Sequence, residues 1–230
     1  RAKLELEDME GIAVTQGPGL VGSLLIGLSA AKAIAYVRQV PIVGVNHLEG
    51  HLTAVFLEQP DCAFPFVGLV VSGGHTSIYQ VTGMGEYLPL GQTRDDAAGE
   101  AFDKVAKLLG LGYPGGVVID RLAREGNARA IAFPRALSAG DSLDFSFSGV
   151  KTAVLRFVKD HEGTLSNERI RDIVASFQEA VVDVLVAKVC MAASKLGVDR
   201  IVVAGGVAAN TRLREKMEAR GMQEKMTIFI

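Results

Sequence analysis

Two histidines four residues apart, His47 and His51, are the first side chains in this sequence whose spacing suggests chemistry. Residues 40–45 predict a short buried strand, and Asn46 followed three residues later by Glu49 is a capping-box start for a helix. In that helix both imidazoles lie on one face. They can then share a transition-metal ion, provided that a third ligand comes from elsewhere in the fold.

The third ligand of such a site is expected to be an aspartate or glutamate, because a cation at a helix N-terminus opposes the helix dipole. Glu49 lies about 200° around the helix from His47 and is a poor ligand for the same ion. The order of residues also differs from the His-Glu-x-x-His motif of zinc proteases. The alternative is a helix with two ordinary histidines, one capping and one packed, and spacing alone favours neither interpretation.

Composition indicates a globular protein of one large domain or two small ones, since 49% of the 230 residues are hydrophobic. A net charge of −2 gives no basic footprint, so contact with nucleic acid requires a local patch or a partner. The two cysteines, Cys62 and Cys190, are far apart, which suits a reducing compartment. We therefore expect a cytoplasmic protein. The weakly polar run 19–37 has the length of a membrane span, but its glycines, small residues and Lys32 favour a helix buried in a soluble core.

Alternating strand and helix patterns over residues 11–51 predict an α/β layered unit with a mostly parallel sheet. Residues 58–65, with two prolines and few hydrophobic side chains, are the expected boundary, which gives domains 1–64 and 65–230. The second domain opens with a central strand at 66–71 and a returning hairpin strand. It contains a long core helix at 167–196 and a buried strand at 200–204.

A Ser-Gly-Gly-His turn at residues 72–75 follows the central strand. Paired glycines allow close approach of a ligand to the backbone, and their N–H groups with the flanking hydroxyls can bind phosphate. A plain hairpin turn explains the glycines equally well.

Two further Gly-Gly turns precede helices. Gly115-Gly116 offers backbone donors to a ligand, with Asp120 able to accept from a hydroxyl, although turn chemistry alone also accounts for it. Gly205-Gly206 lies between a strand and a helix, which places Asn210 as a helix cap or as a contact to a base and ribose.

Three acidic residues precede or occupy the helix that ends near residue 109. Asp95 and Asp96 suit the dipole at its start, which is a sufficient structural reason for both. Asp103 falls in mid-helix, where it is expected to pair with Lys104 or Lys107 on a solvated face.

Seven stretches, in order over nearly the whole chain, resemble the TsaD/Kae family, the tRNA threonylcarbamoyladenosine enzymes formerly labelled sialoglycoproteases. They are Gln16-Gly-Pro-Gly, Asn46-His-Leu-Glu-Gly-His, Val71-Ser-Gly-Gly-His-Thr, residues 95–104, Gly112-Tyr-Pro-Gly-Gly, Phe145-Ser-Phe-Ser-Gly and residues 205–210.

The resemblance implies an α/β, actin/Hsp70-like (ASKHA) ATPase fold of two related subdomains with the active site in the cleft. It implies one divalent metal per subunit, Fe²⁺ ahead of Zn²⁺, on His47 and His51 with a carboxylate near the C-terminus. It also implies transfer of a threonylcarbamoyl group to N6 of the adenosine 3′ of the anticodon, with tRNA, a TsaB-like paralogous subunit and a TsaE-like ATPase as partners. Threonylcarbamoyl-AMP or ATP/ADP is then held by Val71, Ser72, Gly73, Gly74, His75, Asp103, Gly116, Asp120 and Asn210.

Two departures from the family pattern indicate a chain truncated at both ends. The family's first strand with its acidic phosphate-binding loop does not occur, and the segment with the metal aspartate is expected beyond Ile230. No catalytic residue is assigned. The competing hypotheses are a metalloprotease, which lacks a glutamate placed to activate metal-bound water, and a non-catalytic nucleotide-binding scaffold.

Overall fold

Residues 5–137, 140–161, 163 and 165–230 are described by the computed structural model. In it the chain divides into two units, Arg1–Ala54 and Val55–Ile230, each with its own packing. The division into subdomains 1–64 and 65–230 stays a prediction.

The first unit is a parallel β-α-β motif followed by a short helix. Strands β1 (Ile12–Gly17) and β2 (Ile42–Asn46) pair in parallel, with Ile12 opposite Ile42. Helix α1 (Val21–Arg38) connects them, and α2 (His47–Thr53) follows β2 directly. The predicted alternation of strands and helices is therefore confirmed in this part of the chain.

Burial in the first unit is much lower than the sequence predicts. Only Ala31 and Ala35 of α1 are buried, whereas Ile26 is 75% exposed and Val43 of β2 is 58% exposed. The expectations of a buried helix at 19–37 and a buried strand at 40–45 are wrong, because a two-stranded sheet covers only one side of one helix. By length and composition, α1 is the one helix of the described residues that could cross a membrane, and its place near the N-terminus makes this weak evidence.

The second unit is built on a five-stranded mixed sheet of order β5-β4-β3-β6-β7. Its strands are β3 (Phe66–Val71), β4 (Thr76–Gly83), β5 (Glu86–Gln92), β6 (Arg200–Ala204) and β7 (Thr227–Phe229). Strands β3, β4 and β5 form an antiparallel meander, while β6 and β7 run parallel to β3. Every residue of β3 is buried, which confirms the predicted central strand.

Helices cover this sheet and form most of the core. They are α4 (Ala98–Leu108), α5 (Gly115–Ala123), α6 (Ser148–Asp160), α7 (Asn167–Leu196) and α8 (Thr211–Glu224), whereas the short helix α3 (Val55–Glu58) before the sheet has no buried residue. The Ser166 hydroxyl accepts from the backbone N–H of Arg169 at the start of α7, and Gly197 ends α7 in the left-handed conformation (φ 64°). Phe177 of α7 packs edge-on against Phe102 of α4 with ring centroids 5.2 Å apart. Each fully buried phenylalanine stabilises the fold by about 1.5–3 kcal/mol.

Strands β3 and β6 bring two distant turns together. They are parallel neighbours, with Val70 opposite Ala204, so both chains leave the sheet at the same edge. The 72–75 turn and the 3₁₀ turn Gly206–Ala209 follow directly. Ligand sites of α/β proteins lie at such an edge, beyond the carboxyl ends of the strands.

Candidate functional site

A pocket of about 640 Å³ opens where β3 and β6 end, entirely within the second unit. Glycine turns border it on two sides, and α4 and α5 supply most of the remaining wall. Its lining residues are Gly73, Gly99, Phe102, Asp103, Pro114, Gly116, Val117, Asp120, Arg121, Arg124, Gly206, Val207, Ala209 and Asn210. Five residues predicted to bind nucleotide thus share one cavity: Gly73, Asp103, Gly116, Asp120 and Asn210.

Two hydrogen bonds between its first and last residues close the 72–75 turn. The Ser72 N–H donates to the His75 carbonyl at 2.8 Å, and the Ser72 hydroxyl accepts from the His75 N–H at 3.1 Å. Across the described residues, the N–H groups of Gly73 and Gly74 donate to no protein acceptor. A Cβ added at either glycine would meet nothing within 4 Å. Neither glycine is therefore required by packing against the protein.

The other predicted residues of this segment hold the turn in place. Val71 is fully buried at the end of β3, and the Ser72 carbonyl accepts from Gly99 N–H at 3.2 Å. Val71, Ser72, Gly74 and His75 do not line the pocket, whereas Gly73 does.

Asp103 holds the second glycine turn rather than a lysine. Its carboxylate accepts from the N–H of Gly115 at 2.8 Å, which fixes the start of α5 against α4. Lys104 instead pairs with Asp96 at 2.6 Å and with Glu100 at 2.8 Å. The expected pairing of Asp103 with a lysine on a solvated face is wrong, because the loop after α4 returns the chain to the Asp103 side of that helix.

Asp120 joins α5 to the start of α8. Its carboxylate accepts from the Thr211 hydroxyl at 2.8 Å and from the Thr211 N–H at 3.2 Å. Arg124 donates to Asp120 at 3.1 Å and to the Thr211 hydroxyl at 2.6 Å. The carboxylate is thus fixed beside the pocket with its charge paired.

Asn210 is the predicted helix cap. Its side-chain oxygen accepts from the N–H of Leu213 at 3.0 Å, and its amide N–H donates to the Gln178 side chain at 2.8 Å. Asn210 is only 7% exposed and Gln178 only 4%. Both hydrogen-bonding functions of the Asn210 amide are therefore used inside the protein, and its contact with a base or ribose stays a prediction.

Asp95 has a structural role that sequence reasoning missed. Its carboxylate accepts from the hydroxyls of Ser146 (2.5 Å) and Ser148 (2.6 Å), and from the backbone N–H groups of Phe147 (2.8 Å) and Ser148 (3.2 Å). It therefore caps α6 and not α4, whose N-cap is Ala97. Asp96 joins the same two helices through ion pairs with Lys104 and Lys151, each at 2.6 Å.

The pKa of Asp95 predicts a specific loss of stability in acid. Burial raises this pKa, but the hydrogen bonds from Ser146, Ser148 and Phe147 outweigh that effect and lower it from 3.8 to about 2. Since folding lowers the pKa, the carboxylate stabilises the protein fully above the unfolded value and loses that contribution as the pH falls through the folded value. In urea denaturation from pH 5 to pH 2, the difference in unfolding free energy between wild type and Asp95→Asn should shrink toward low pH. A difference that stays constant over this range would contradict the assignment.

The histidine pair lies in the first unit, on α2. The Asn46 side chain accepts from the N–H groups of Leu48 (2.9 Å) and Glu49 (3.3 Å), which confirms the predicted helix start. The rings of His47 and His51 meet edge-on with centroids 4.6 Å apart. Within the described ranges, no group of three His, Cys, Asp or Glu side chains could hold a metal ion. Two imidazoles so placed fit a metal site as two of its ligands, with a third from outside this set.

Several lining residues were not predicted, among them Phe102, Val117, Arg121 and Arg124. The sequence did contain a pattern that places Val117, Arg121 and Arg124 near the predicted residues. Val117 and Arg121 flank Gly116 and Asp120 at the four-residue spacing of one helix side, and Arg124 follows Asp120 by another turn. Phe102 carries no such signal, because a phenylalanine in an amphipathic helix is normally a core residue.

Comparison with known proteins identifies close sequence relatives. The family model described as "TsaD: tRNA N6-adenosine threonylcarbamoyltransferase" matches residues 1–230. The tRNA N6-adenosine threonylcarbamoyltransferase of Syntrophus aciditrophicus (strain SB) is 59% identical over 229 residues, covering 100% of this chain and 67% of that protein. The protein of the same name from Geobacter metallireducens is 61% identical over 216 residues, covering 94% and 63%. The chain thus spans about two thirds of the length of the curated relatives it matches.

Solved structures with the same fold are distant in sequence. Full-length HypF, in its phosphate- and nucleotide-bound form, superposes with a TM-score of 0.69 at 12% identity, covering 96% of this chain and 36% of that one. HypF of T.kodakarensis gives a TM-score of 0.67 at 14% identity, covering 97% and 37%. These likenesses confirm the predicted actin/Hsp70-like (ASKHA) fold.

Proposed function

Because the chain belongs to the TsaD family of tRNA N6-adenosine threonylcarbamoyltransferases, we propose that its pocket holds the adenylate of a threonylcarbamoyl transfer reaction. The acceptor is N6 of the adenosine 3′ of the anticodon in tRNAs that read codons beginning with A. The supporting observation is the cavity of about 640 Å³ whose wall includes three glycines, Gly73, Gly116 and Gly206, with nothing of the protein within 4 Å of an added Cβ. Glycines left open in this way allow a ligand to approach the backbone.

The chemical classes of the lining fit threonylcarbamoyl-AMP or ATP/ADP. The N–H group of Gly73, which lines the pocket and donates to no acceptor of the described residues, can donate to a phosphate beside the end of β3. Val117 offers exposed apolar surface to the base, and Asp120 can accept from a ribose hydroxyl through its remaining lone pairs. In the transfer, the N6 amine attacks the carbamoyl carbon. The bond from that carbon to the phosphate oxygen breaks, AMP leaves with its electron pair, and N6 loses one proton.

His47 and His51 are the residues that would hold the divalent metal, Fe²⁺ ahead of Zn²⁺, together with an anionic third ligand. When bound, such an ion supplies Lewis-acid polarisation of carbamoyl oxygens. The TsaB-like subunit, the TsaE-like ATPase and a cytoplasmic location without membrane attachment belong to the same proposal.

The test is restoration of threonylcarbamoyladenosine in tRNA of a depleted strain, measured by mass spectrometry of nucleosides. The sequence is expressed in a form extended to the length of its relatives, as wild type and as His47→Ala, His51→Ala and Asp103→Ala. Each variant should lower the modified nucleoside by on the order of 10-fold or more, since loss of one ligand or support typically has this effect.

His161→Ala is the matched control, because His161 lies at the end of α6 and packs on Phe157 with ring centroids 4.3 Å apart. It should restore modification like wild type. Peptide cleavage without a change in the nucleoside would favour the metalloprotease. Nucleotide binding with neither activity would favour the scaffold.

A further inference from the structure

We propose that an exposed edge beside the pocket, here called the pocket rim and formed by Lys107, Tyr113, Val117 and Arg121, binds the unpaired anticodon-loop strand of the RNA substrate. The inference rests on the proposed function. It adds the surface on which the acceptor nucleotide would be presented.

The apolar part of the rim is exposed. Tyr113 is 82% exposed and Val117 is 69% exposed. Tyr113 directly precedes the N-cap of α5, where an apolar residue commonly packs on the fourth helical residue, here Val118. Its exposure shows that the phenol ring is not used in this way. An aromatic face with no protein cover is the usual platform for stacking an unpaired base.

The charged part of the rim has the sign that RNA requires. Lys107 follows Asp103 by one turn on the same side of α4, and Arg121 follows Val117 by one turn on α5. Both are exposed, and neither forms an ion pair with any carboxylate of the described ranges.

The acidic groups near the rim are Asp103 on α4, which accepts from the Gly115 N–H and forms no ion pair within the described residues, and two carboxylates that are paired. Asp120 pairs with Arg124 at 3.1 Å, and Glu125 pairs with Arg171 at 3.1 Å. Lys107 and Arg121 outnumber the one carboxylate without an ion pair, Asp103, so the rim carries a local positive charge on a chain whose net charge is −2. Phosphates on either side of a stacked base complement this arrangement.

The pocket rim lies where the proposed reaction requires the acceptor adenosine to be presented. N6 of the acceptor adenosine must come to about 3–3.5 Å from the carbamoyl carbon. With the adenylate in the pocket, the loop that carries this adenosine has to rest on the pocket's border. Val117 and Arg121 belong both to the lining and to the exposed side of α5. A protein partner could also contact the rim through carboxylates and apolar side chains. The reaction does not require a protein partner at the mouth of the pocket, whereas it requires the RNA there.

The experiment measures binding of a fluorescent RNA hairpin with a tRNA anticodon-loop sequence by anisotropy, as a function of salt. Tyr113→Ala should weaken binding by on the order of 10-fold, while Tyr113→Phe should bind like wild type, because stacking needs the ring and not the hydroxyl. Arg121→Ala and Lys107→Ala should weaken binding and each reduce the slope of log K against log salt by about 0.7. Tyr113→Ala should leave that slope unchanged.

Lys159→Ala is the matched charge control, since Lys159 is exposed in the last turn of α6 and is not part of the pocket. Calorimetry of ADP binding to wild type and to Tyr113→Ala separates the two proposals. If wild type does not bind ADP, that result counts against the nucleotide pocket and not against the rim. The rim proposal is overturned if wild type does not bind the hairpin or if the rim variants bind it as wild type does. It is equally overturned if they bind RNA normally but lose association with a TsaB-like subunit.

Discussion

Replacement of Gly205 by alanine is expected to lower the free energy of unfolding by about 3 kcal/mol or more. Gly205 has φ 104° and ψ 170°, a region that is essentially restricted to glycine. An added Cβ would also lie 2.4 Å from the carbonyl oxygen of Val71, a backbone atom of the central strand. Since neither strand end can move without breaking the pairing of β3 with β6, the strain cannot be relieved locally. Urea denaturation followed by circular dichroism measures the loss.

Gly206→Ala is the matched control one residue further along. A Cβ at Gly206 meets nothing within 4 Å, and Gly206 lacks the positive φ of its neighbour. Its unfolding free energy should stay within about 0.5 kcal/mol of wild type. Its affinity for ADP should fall, because the new methyl group points into open space beside the pocket. Equal stability losses in both variants would refute the distinction between packed and open glycines.

Asn210→Ala should lower the free energy of unfolding by about 2–4 kcal/mol. The substitution removes the cap on Leu213, worth about 1 kcal/mol. It also leaves the buried Gln178 side chain without its donor, which costs about 1–3 kcal/mol. The measurement is again the unfolding free energy from urea denaturation.

Two variants separate these contributions. Ser166→Ala removes only a cap, the one that accepts from Arg169 N–H at 3.1 Å, and should cost about 1 kcal/mol. Asn210→Asp keeps the capping oxygen, and Gln178 can rotate its amide to donate to the new carboxylate, so its loss should be smaller than that of Asn210→Ala. If Asn210→Ala costs no more than Ser166→Ala, the buried contact with Gln178 contributes nothing.

Local patterns were sufficient for most elements of the second unit. Helix α7 at Asn167–Leu196 and strand β6 at Arg200–Ala204 were predicted at their observed bounds, because long periodic or continuous apolar runs dominate their sequences. The family, its transferase class and its fold were predicted from seven motifs and are confirmed by the family model and by the relatives. The residue roles drawn from that resemblance, including the metal ligands His47 and His51, stay predictions.

Contacts between distant residues were not predictable in the same way. Asp95 looked like a first-turn acid of its own helix, yet its partner Ser148 is 53 residues away. Asp103 looked like half of a surface ion pair, yet it binds Gly115 N–H across a loop. In both cases a contact with a residue nearby in sequence was chemically sufficient. Only the tertiary structure distinguishes it from the contact with a distant residue. The exposure of α1 was not predicted, because the composition of a helix shows which side chains it could bury. It does not show whether other elements pack against them.

The pocket cannot form until β3 pairs with β6, so ligand binding depends on a late step of folding. One glycine turn lies early in the second unit and the other more than 100 residues later, and only long-range strand pairing unites them. Closing so long a loop has a high entropic cost and slows folding, so the cavity at the ends of β3 and β6 is expected to be among the last features to form during refolding. Recovery of ADP binding should therefore lag behind recovery of helical circular dichroism. The ligand then stabilises only the finished fold and not its partly assembled precursors.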